Sequence, residues 1–190
     1  LIDRSFRNEE FDCVEIDNRA AMRRAANKLI SFGHRRIAVI ASNIEYTGME
    51  RMKGFEDALR EAEITVPDEY RIRGKHSFEL GYQGMKSLLE LPEPPTAVIL
   101  GNYDTTLGGV MAANELGFSC PRDLSLIGFD DLLMSKVIRP RLWFVVQPME
   151  EMSKRAVNML LNRISHENEG SPLRISFSAA ISEGNSIRKI

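Results

Sequence analysis

Short, continuous apolar runs alternate along the chain with amphipathic stretches, and this alternation constrains the fold more than any other feature. Four runs are almost wholly apolar and cover residues 37–41, 96–100, 124–129 and 143–147. Strands covered by helices on both faces have such runs, because neither face of the sheet contacts water. A weaker strand is predicted at 70–73. A late, partly alternating one is predicted at 174–181, where the pattern favours an edge strand.

The stretches between these runs have helical periodicity. Five helices are predicted at about 19–32, 49–62, 78–91, 105–116 and 148–165. Asn18 is expected to cap the first helix, and Gly33 and Gly117 stand where a helix-ending glycine belongs. Because strands and helices alternate, we predict an α/β fold with a doubly wound parallel sheet and helices on both faces.

The composition narrows the class of protein. The chain has 190 residues, 43% of them hydrophobic and 27% charged, with a net charge of −2, which is typical of a soluble globular domain. A protein that reads duplex DNA needs a basic patch to neutralise phosphates, and the sequence shows none of that kind. No stretch is long and apolar enough to span a membrane.

The start of the chain and its cysteines bear on where the protein resides. The first residues are Leu1-Ile2-Asp3, without an initiator methionine or a signal-peptide pattern, so we expect a piece of a longer protein whose leader could have been lost. The cytoplasm is the expected compartment. Cys13 and Cys120 each stand alone, so we expect two buried free thiols and neither a metal nor a cofactor.

Polar residues follow the predicted strands. In doubly wound sheets ligands bind beyond the carboxyl ends of the strands, so these residues are candidates for a binding site. The candidates are Thr47, Arg51, His76, Asn102, Asp130 and Gln147. Such a set donates and accepts hydrogen bonds, which suits a polyhydroxylated or heteroaromatic small molecule. An equally open alternative is that Asp130 caps a following helix and pairs with Arg51 without any ligand.

Catalytic interpretations have less support. The sequence contains no GxSxG, Walker A or HExxH motif, and residues 101–109 lack the GxGxxG order of a dinucleotide site. Asp130 and Asp131 are candidates for paired carboxylates in a metal site or in acid/base chemistry, but adjacent residues at a strand end usually point in different directions, which disfavours this interpretation. His34 follows a helix-ending glycine, so a surface or structural role is expected. We therefore expect a protein that is not an enzyme.

Several strings of the sequence resemble one known family. The segment Val14–Asn18, followed by Leu29–Ala38, is similar to "V-x-x-D-N … L-x-x-x-G-H-R-x-I-A". Arg51–Phe55 is similar to "R-x-x-G-F/Y", and Pro94–Val98 to "P-P-T-A". The most specific string, Cys120–Asp131, resembles "V-P-x-D-x-S-x-x-G-F-D-D". These are patterns of the lactose/galactose-repressor (LacI/GalR) family of transcriptional regulators, and they occur in order along the whole chain.

The resemblance implies a division into lobes. Family members have an N-terminal helix-turn-helix, a hinge helix and a two-lobed sensor like a periplasmic sugar-binding protein. By that plan, residues 1–17 are a remnant of the N-terminal lobe and its crossover. The C-terminal, flavodoxin-like effector-binding lobe comprises residues 18–147 and 174–190, and the helix at 148–165 returns to the N-terminal lobe. The segment that would touch DNA is then absent from this chain.

The resemblance also implies roles for the candidate residues. Arg51 and Asp130 correspond to the pair that brackets the effector. The further implied contacts are Asn102, Thr47, His76 and Gln147 and, aligned less closely, Arg4 and Phe6. His76 occupies a place that often holds a stacking aromatic ring, which favours a smaller or more polar ligand. The chain departs from the family at Asn102-Tyr103-Asp104, where the common string is "N-D", and at Trp143 and Phe144, which replace two small polar residues.

The implied function is effector sensing. A small polar molecule of the sugar, nucleoside or sugar phosphate class changes the angle between the lobes and so controls operator DNA binding by the absent helix-turn-helix. A homodimer is expected, with its contact on the helix at 105–116 and on 132–134. The alternative is a periplasmic-type sugar or solute-binding protein. The residues at 33–36 and 128–131 resemble the repressor motifs, which disfavours this alternative. An enzyme on a flavodoxin-like lobe is a third possibility, without a recognised catalytic motif.

Overall fold

The computed structural model describes residues 1–3, 10–131, 133–166 and 170–190, with the backbone alone at 134 and 135. The described residues form eight strands and six helices, and a short 3-10 turn at Asp68–Tyr70 precedes the third strand. In chain order the elements are β1 Cys13–Ile16, α1 Asn18–Ser31, β2 Ile37–Ser42, α2 Tyr46–Glu61, β3 Arg71–Gly74, α3 Phe78–Leu89, β4 Ala97–Leu100, α4 Tyr103–Glu115, β5 Ser125–Phe129, α5 Met134–Val137, β6 Trp143–Val146, α6 Met149–Ile164, β7 Arg174–Phe177 and β8 Ala180–Ser182.

A six-stranded sheet forms the centre of the molecule, with strand order β3-β2-β4-β5-β6-β8. The first five strands run parallel, and β8 joins β6 antiparallel. Helices α2 and α3 both contact β2, and α1 and α4 both contact β4, so helices from two separate pairs cover the central strands. Every residue of β2, β4 and β5 is buried, which explains why their sequences are continuous apolar runs. The doubly wound parallel sheet predicted from the sequence is confirmed.

A separate two-stranded sheet joins the beginning of the chain to its end. β1 pairs in parallel with β7, with Cys13 opposite Arg174, and Ile2 forms a further bridge to Val14. The prediction of a single strand over 174–181 is wrong, because β7 pairs with β1 whereas β8 pairs with β6. Alternating exposure along β7 is what an edge strand shows, but such a pattern does not reveal which sheet the strand joins.

The first helix begins differently from the prediction. Asp17, rather than Asn18, is the N-cap of α1, and its carboxylate accepts a 2.8 Å hydrogen bond from the backbone N–H of Ala20. Asn18 is the first residue of the helix and is buried. Because Asn18 does not cap the helix, its side-chain oxygen can accept a hydrogen bond from Arg51 on α2.

Helices α3 and α4 pack unusually closely because small residues lie between them. A Cβ at Gly81 would lie 2.2 Å from the Thr105 carbonyl oxygen, and one at Gly108 would lie 2.1 Å from the Phe78 carbonyl oxygen. Any side chain at either position would overlap the facing backbone, so both must be glycine for the helices to approach. This contact fixes the orientation of α4 and of the loop that precedes it.

Trp143 fills space beside the first helix. Its ring is 7% exposed and meets the Phe32 ring edge-on, with centroids 6.2 Å apart. The Lys28 ammonium lies 4.7 Å from the centre of the indole ring and covers its outer side. The aromatic ring that stands in place of a small polar residue of the family thus fills space in the core.

The remaining histidine and thiol groups have structural surroundings. His34 is fully buried and bridges the Thr96 hydroxyl, 2.9 Å away, and the Arg188 carbonyl, 3.1 Å away. Cys13 and Cys120 are free thiols, the first buried and the second half-buried, and burial raises the pKa of Cys120 to about 12. Within the described ranges, no cluster of three metal-ligating side chains occurs, and no helix is long and apolar enough to cross a membrane.

Candidate functional site

Arg51, on α2, forms the centre of a polar cluster at the carboxyl end of the six-stranded sheet. Its side chain is buried, with the residue only 3% exposed. Its Nε donates to Asn18 Oδ1 at 2.7 Å, and its Nη1 donates to the Gly101 carbonyl at 2.6 Å. The guanidinium carbon lies 3.7 Å from the centre of the Phe129 ring. Groups from α1, from the end of β4 and from β5 therefore hold the guanidinium in one orientation.

The charge of Arg51 is balanced by carboxylates that do not bind it directly. Burial lowers the pKa of the Arg51 guanidinium, and the negative charges of Asp130 and Asp3 oppose that shift. Among the described residues no ion pair within 4.0 Å links Arg51 to either carboxylate. The charges of Arg51 and Asp130 thus interact without a direct ion pair, and the two side chains together supply a donor and an acceptor for a ligand hydroxyl.

Asp130 lies directly after β5 in the left-handed backbone region, with φ of 65°, which aspartate tolerates better than most residues. Its backbone N–H donates to the Val145 carbonyl at 2.9 Å. Its Oδ1 accepts a 2.7 Å hydrogen bond from Gln147 Nε2. The alternative that Asp130 caps a following helix is wrong, because α5 begins only at Met134 and the carboxylate is bound by Gln147 instead.

Gln147, which follows β6, is 7% exposed. Its Nε2 also lies 3.4 Å from Asp3 Oδ2, so it joins the first residues of the chain to the cluster. Its Oε1 is buried and has no hydrogen-bond partner among the described residues. Buried acceptors are nearly always paired in folded proteins, so this oxygen indicates that a donor is still to be supplied.

His76 is held by the loop that follows β2. Its Nε2 accepts a 3.0 Å hydrogen bond from the Ser42 backbone N–H, and its Nδ1 lies 3.8 Å from Glu45 Oε2. Burial and then the charge of Arg51 lower the pKa of His76 to about 4, against the opposing effect of Glu45 and Asp104. The imidazole is therefore neutral near pH 7, with its proton on Nδ1, because Nε2 is the acceptor.

For the other predicted site residues, no direct contact with Arg51 or Asp130 is found among the described residues. Asn102 is the N-cap of α4, and its Oδ1 accepts from the Thr105 backbone N–H at 3.0 Å and from the Thr105 hydroxyl at 2.8 Å. Its oxygen is thus occupied, and only its NH₂ group can serve a ligand. Thr47 is half-buried in the first turn of α2. Arg4 and Phe6 lie outside the described residues.

The cluster lacks the geometry of a hydrolytic centre. His76 Nε2 receives the Ser42 backbone N–H, whereas the Ser42 hydroxyl donates to the Glu45 carboxylate. A serine nucleophile needs its hydroxyl to donate to the histidine, so these three side chains do not form a nucleophile and base in this arrangement. Donors and acceptors at a buried strand edge instead suit recognition of a small polar molecule.

Four residues that the sequence analysis did not place in the site belong to it. Asn18 and Phe129 position Arg51, Asp3 reaches Gln147, and Glu45 faces His76. Asn18 and Phe129 stand inside the quoted motifs, so the signal was present but was assigned to capping and to the strand. Glu45 follows β2, where candidates were sought, but its contact with His76, like that of Asp3 with Gln147, depends on how separate segments pack.

Comparison with known proteins agrees with this fold. Residues 26–187 match the family described as "Periplasmic binding protein-like domain", and the chain belongs to that family. The HTH-type transcriptional repressor PurR of Klebsiella pneumoniae is 38% identical over 148 residues, which cover 77% of this chain and 43% of that protein. PurR of Escherichia coli is 39% identical over 146 residues. The chain thus spans less than half the length of these curated relatives.

Comparison with solved structures indicates which type of protein within this family the chain resembles. The transcriptional regulator CelR in complex with cellobiose matches 97% of this chain and 57% of its own, with a TM-score of 0.89 and 28% identity. A LacI-type transcriptional regulator from Bacillus cereus matches 97% of this chain and 66% of its own, with a TM-score of 0.88 and 29% identity. A LacI family regulator from Enterococcus faecium with bound ribose matches 100% and 70%, with a TM-score of 0.87 and 26% identity. Within its family, the chain is a sensor domain of the LacI type, which confirms the resemblance found in the sequence.

Proposed function

We propose that this chain is the effector-binding part of a LacI-type transcriptional repressor. The observation that carries the proposal is the Arg51 cluster. A buried guanidinium is oriented by Asn18 and Gly101, and its charge interacts with that of the Asp130 carboxylate, which Gln147 holds. Such a fixed donor and acceptor at the carboxyl edge of a parallel sheet fits a ligand hydroxyl. The unpaired Gln147 Oε1 adds an acceptor for the same ligand.

The proposed effector is a sugar, a nucleoside or a sugar phosphate. The site has a charged donor, Arg51, and a charged acceptor, Asp130. Each hydroxyl of a polyhydroxylated molecule can both accept and donate, so it can bind both groups. The neighbours solved with cellobiose and with ribose support the sugar class. The neutral His76 Nδ1–H is a further donor, facing the Glu45 carboxylate. We infer no catalysis, and no cofactor is required for this role.

We propose that the effector lies between two lobes and that the described residues supply most of one. The C-terminal lobe comprises residues 18–147 and the segment after Phe177. We place the start of the final segment of this lobe after Phe177 and not at 174, because β7 pairs with β1 and not with the six-stranded sheet. Residues 1–17, β7 and α6 form part of the other lobe. The apolar side chains that α6 exposes, among them Leu160 and Ile164, then pack against the rest of that lobe.

The partners follow from the same proposal. Operator DNA is bound through a helix-turn-helix outside this chain, as the names of the curated relatives suggest, and the protein acts in the cytoplasm. Effector binding shifts an equilibrium between two lobe arrangements by its differential affinity for them. A periplasmic-type solute-binding protein is the alternative, and the identity to repressors over 77% of the chain weighs against it.

A homodimer is also proposed. The outer face of α4 exposes Leu107 and Met111, at 42% and 46%, and Leu133 and Val137 are exposed at the two ends of α5. Exposed apolar groups of this kind mark contact surfaces. Leu132 lies outside the described residues, and the side chain of Met134 is not described. Neither of these two predicted contact residues therefore supports the proposed dimer. A paired operator requires a two-fold symmetric protein, which a contact on this face provides.

Two substitutions in the full-length regulator test the effector site. Arg51→Ala and Asp130→Ala should each abolish the response of operator binding to the effector, because each removes one side of the bracket. We expect at least about a hundred-fold weaker effector binding, since a buried charge-assisted hydrogen bond contributes on the order of 3 kcal/mol. Operator affinity without effector should be unchanged.

The measurement is a titration of operator binding against cellobiose, ribose, adenosine and ribose 5-phosphate, with calorimetry on the same samples. Arg122→Ala, which removes an exposed arginine paired with Asp123, is the matched control. An effector response that survives in both site variants rules out the proposed site. A specific operator shift produced by this 190-residue chain alone contradicts the proposal that the DNA contact lies elsewhere.

A further inference from the structure

The hydrogen-bond donors of the Arg51 cluster are largely taken up by the protein itself. Arg51 Nε donates to Asn18 and Nη1 to the Gly101 carbonyl, so Nη2 is the nitrogen that serves no described acceptor. The Nδ1–H of His76 faces the Glu45 carboxylate. A guanidinium holds a phosphate through two parallel N–H bonds, and two of its three nitrogens already serve protein oxygens here. Arg51 is therefore poorly suited to a phosphate group.

The acceptors of the same cluster have spare capacity. Gln147 donates to Asp130 Oδ1, and Asp130 Oδ2 accepts no hydrogen bond from a described residue. The Ser42 hydroxyl donates to Glu45 Oε2, and Glu45 Oε1 likewise has no donor among the described residues. Gln147 is 7% exposed, and its Oε1 is buried without a described donor. A ligand that fits this cluster therefore donates more hydrogen bonds than it accepts.

Acidic residues occupy the helix ends that could otherwise attract an anion. Helices α2, α3 and α4 each follow a strand of the parallel sheet and begin at its carboxyl edge, where the N-terminal dipole of a helix favours negative charge. Glu45 is the N-cap of α2, and Glu79 and Asp104 lie in the first turns of α3 and α4. The chain thus supplies an anion of its own at each of these three helix ends.

The described side chains give the cluster a negative charge. Arg51 and Asp130 offset each other. A helix dipole is equivalent to about half of one positive charge, so it offsets only half of a carboxylate at the end of the helix. Negative charge therefore remains at Glu45 and Asp104.

The neighbours of these two carboxylates do not neutralise them. Both charges act on His76, where they oppose the lowering of its pKa, but the imidazole is neutral near pH 7. No described lysine or arginine forms an ion pair with Glu45 or Asp104. Lys75 precedes His76 but is exposed to solvent, which screens its charge. An anionic ligand is thus repelled in this part of the site, and a cationic one is attracted.

We propose that the effector carries a protonated amino group beside its hydroxyls, as an amino sugar does, and that this group lies toward Glu45 and Asp104. The inference rests on the proposed effector function of the same site. An ammonium group has three donors and no acceptor, so it matches the spare acceptors of the cluster. The hydroxyls of the same molecule bind Arg51 and Asp130.

Calorimetry on the full-length regulator at about pH 6.5 tests the charge of the effector. The ligands are glucosamine, galactosamine and mannosamine, each compared with the neutral sugar that has a hydroxyl in place of the amino group, and glucose 6-phosphate. Amino groups of this kind are protonated at that pH, whereas His76, with a pKa of about 4, stays neutral. In the pair that binds best, the amino sugar should bind at least about ten-fold more tightly than its neutral twin. The phosphate ester should bind more weakly than glucose.

Two kinds of failure are distinguishable. Tighter binding of the neutral twin or of the phosphate ester overturns this inference, and so does a lack of binding by all three amino sugars. The proposed effector function survives that result if operator binding still responds to a neutral sugar, to adenosine or to a phosphate ester. It fails as well only if operator binding responds to none of these ligands.

Glu45→Gln locates the amino group, because it removes one charge and retains an acceptor for the Ser42 hydroxyl. The preference for the amino sugar over its neutral twin should fall at least about five-fold. The matched control is Glu61→Gln, at the other end of α2, where Glu61 pairs with Arg23 at 3.2 Å, and it should keep the wild-type preference. An unchanged preference in Glu45→Gln, or equal losses in both variants, overturns the proposed position.

A second variant keeps the test decisive if Glu45→Gln fails to fold by circular dichroism. Asp104→Asn removes an exposed carboxylate that forms no hydrogen bond or ion pair with a described residue. It should lower the preference for the amino sugar at least about two-fold, because its charge acts through solvent. An unchanged preference in this variant then counts against the inference.

Discussion

Arg51 is held by groups that come from distant parts of the sequence, and its position therefore depends on the packing of the whole lobe. Asn18 belongs to α1, Gly101 follows β4, and Phe129 ends β5. A buried guanidinium that loses its partners is strongly destabilising, so each of these contacts is also a constraint on folding. At the scale of single residues, binding and stability are thus coupled in this site.

His76 gives a prediction that needs no ligand. Its pKa is lowered to about 4 in the folded chain, below the value of 6.5 for an unperturbed histidine. Between these values the unfolded chain binds a proton that the folded chain does not, so stability rises with pH in that window and is lost as pH falls from 6.5 toward 4. The free energy of unfolding should decrease by on the order of 2–3 kcal/mol across it.

Urea unfolding of the wild type and of His76→Gln at several pH values between 4 and 7 measures this effect. The variant should lose most of the pH dependence. A smaller part should remain, because burial also lowers the pKa of His34. Equal slopes in the two proteins would show that His76 is not held neutral by its surroundings.

The two asparagines of the site show what the sequence can and cannot reveal about a residue. Asn102 was expected to contact the ligand, and it is the N-cap of α4. Asn18 was expected to be an N-cap, and it orients Arg51 instead. Asparagine serves equally in both roles, and the choice depends on the partner that tertiary packing brings near. The identity of polar residues at strand ends was therefore predictable, but their hydrogen-bond partners were not.

At the scale of elements, the C-terminal segment contributes more than its lack of regular structure suggests. Ser186 is fully buried, its hydroxyl donates to the Leu126 carbonyl at 2.6 Å, and it accepts from the Trp143 N–H at 2.8 Å. The Leu126 N–H also donates to the Ser186 carbonyl at 2.9 Å. One side chain thus links β5, β6 and the end of the chain.

Ser186→Ala should destabilise the protein by about 2–3 kcal/mol, because it leaves a buried carbonyl and a buried N–H without partners. Thermal and urea unfolding measure the loss. Ser31→Ala is the control, since the Ser31 hydroxyl donates to the Lys28 carbonyl on the exposed side of α1 and should cost under about 0.5 kcal/mol. A loss of similar size in both variants would contradict the linking role of Ser186.

The fully buried strands were predictable from their sequences. The continuous apolar strands β2, β4 and β5 were predicted to within one residue or so, because covering by helices leaves a run that no loop would carry. β7 and β8 were predicted as one strand, since local periodicity is the same whichever sheet a strand joins. The close approach of α3 and α4 was not predictable, because Gly81 and Gly108 lie far apart in sequence and neither shows its partner.

At the scale of the whole molecule, the outer face of α4, which carries Leu107 and Met111, is the proposed contact between two copies of the chain. Leu107→Glu should convert a dimer to a monomer without loss of thermal stability. The residue is 42% exposed, so a charge there costs little in the isolated lobe but is costly inside a contact. Sedimentation velocity over a range of concentrations provides the measurement.

A wild-type protein that stays monomeric at high concentration contradicts the proposed dimer for the described lobe. A Leu107→Glu variant that still dimerises places the contact on another face. The apolar residues of α6, such as Leu160, are the next candidates in that case, and Leu160→Glu distinguishes the two faces.

The pairing of β1 with β7 has a consequence for how the protein is made. During synthesis β1 leaves the ribosome before the main sheet, whereas β7 follows five of the six strands of that sheet. Until then the buried residues Cys13, Val14 and Ile16 lack their β7 partner, so this edge of β1 stays open while the main sheet assembles. Translation pauses after β6 would prolong this exposure, and the interval before β7 emerges is the one in which a chaperone would protect the chain from aggregation.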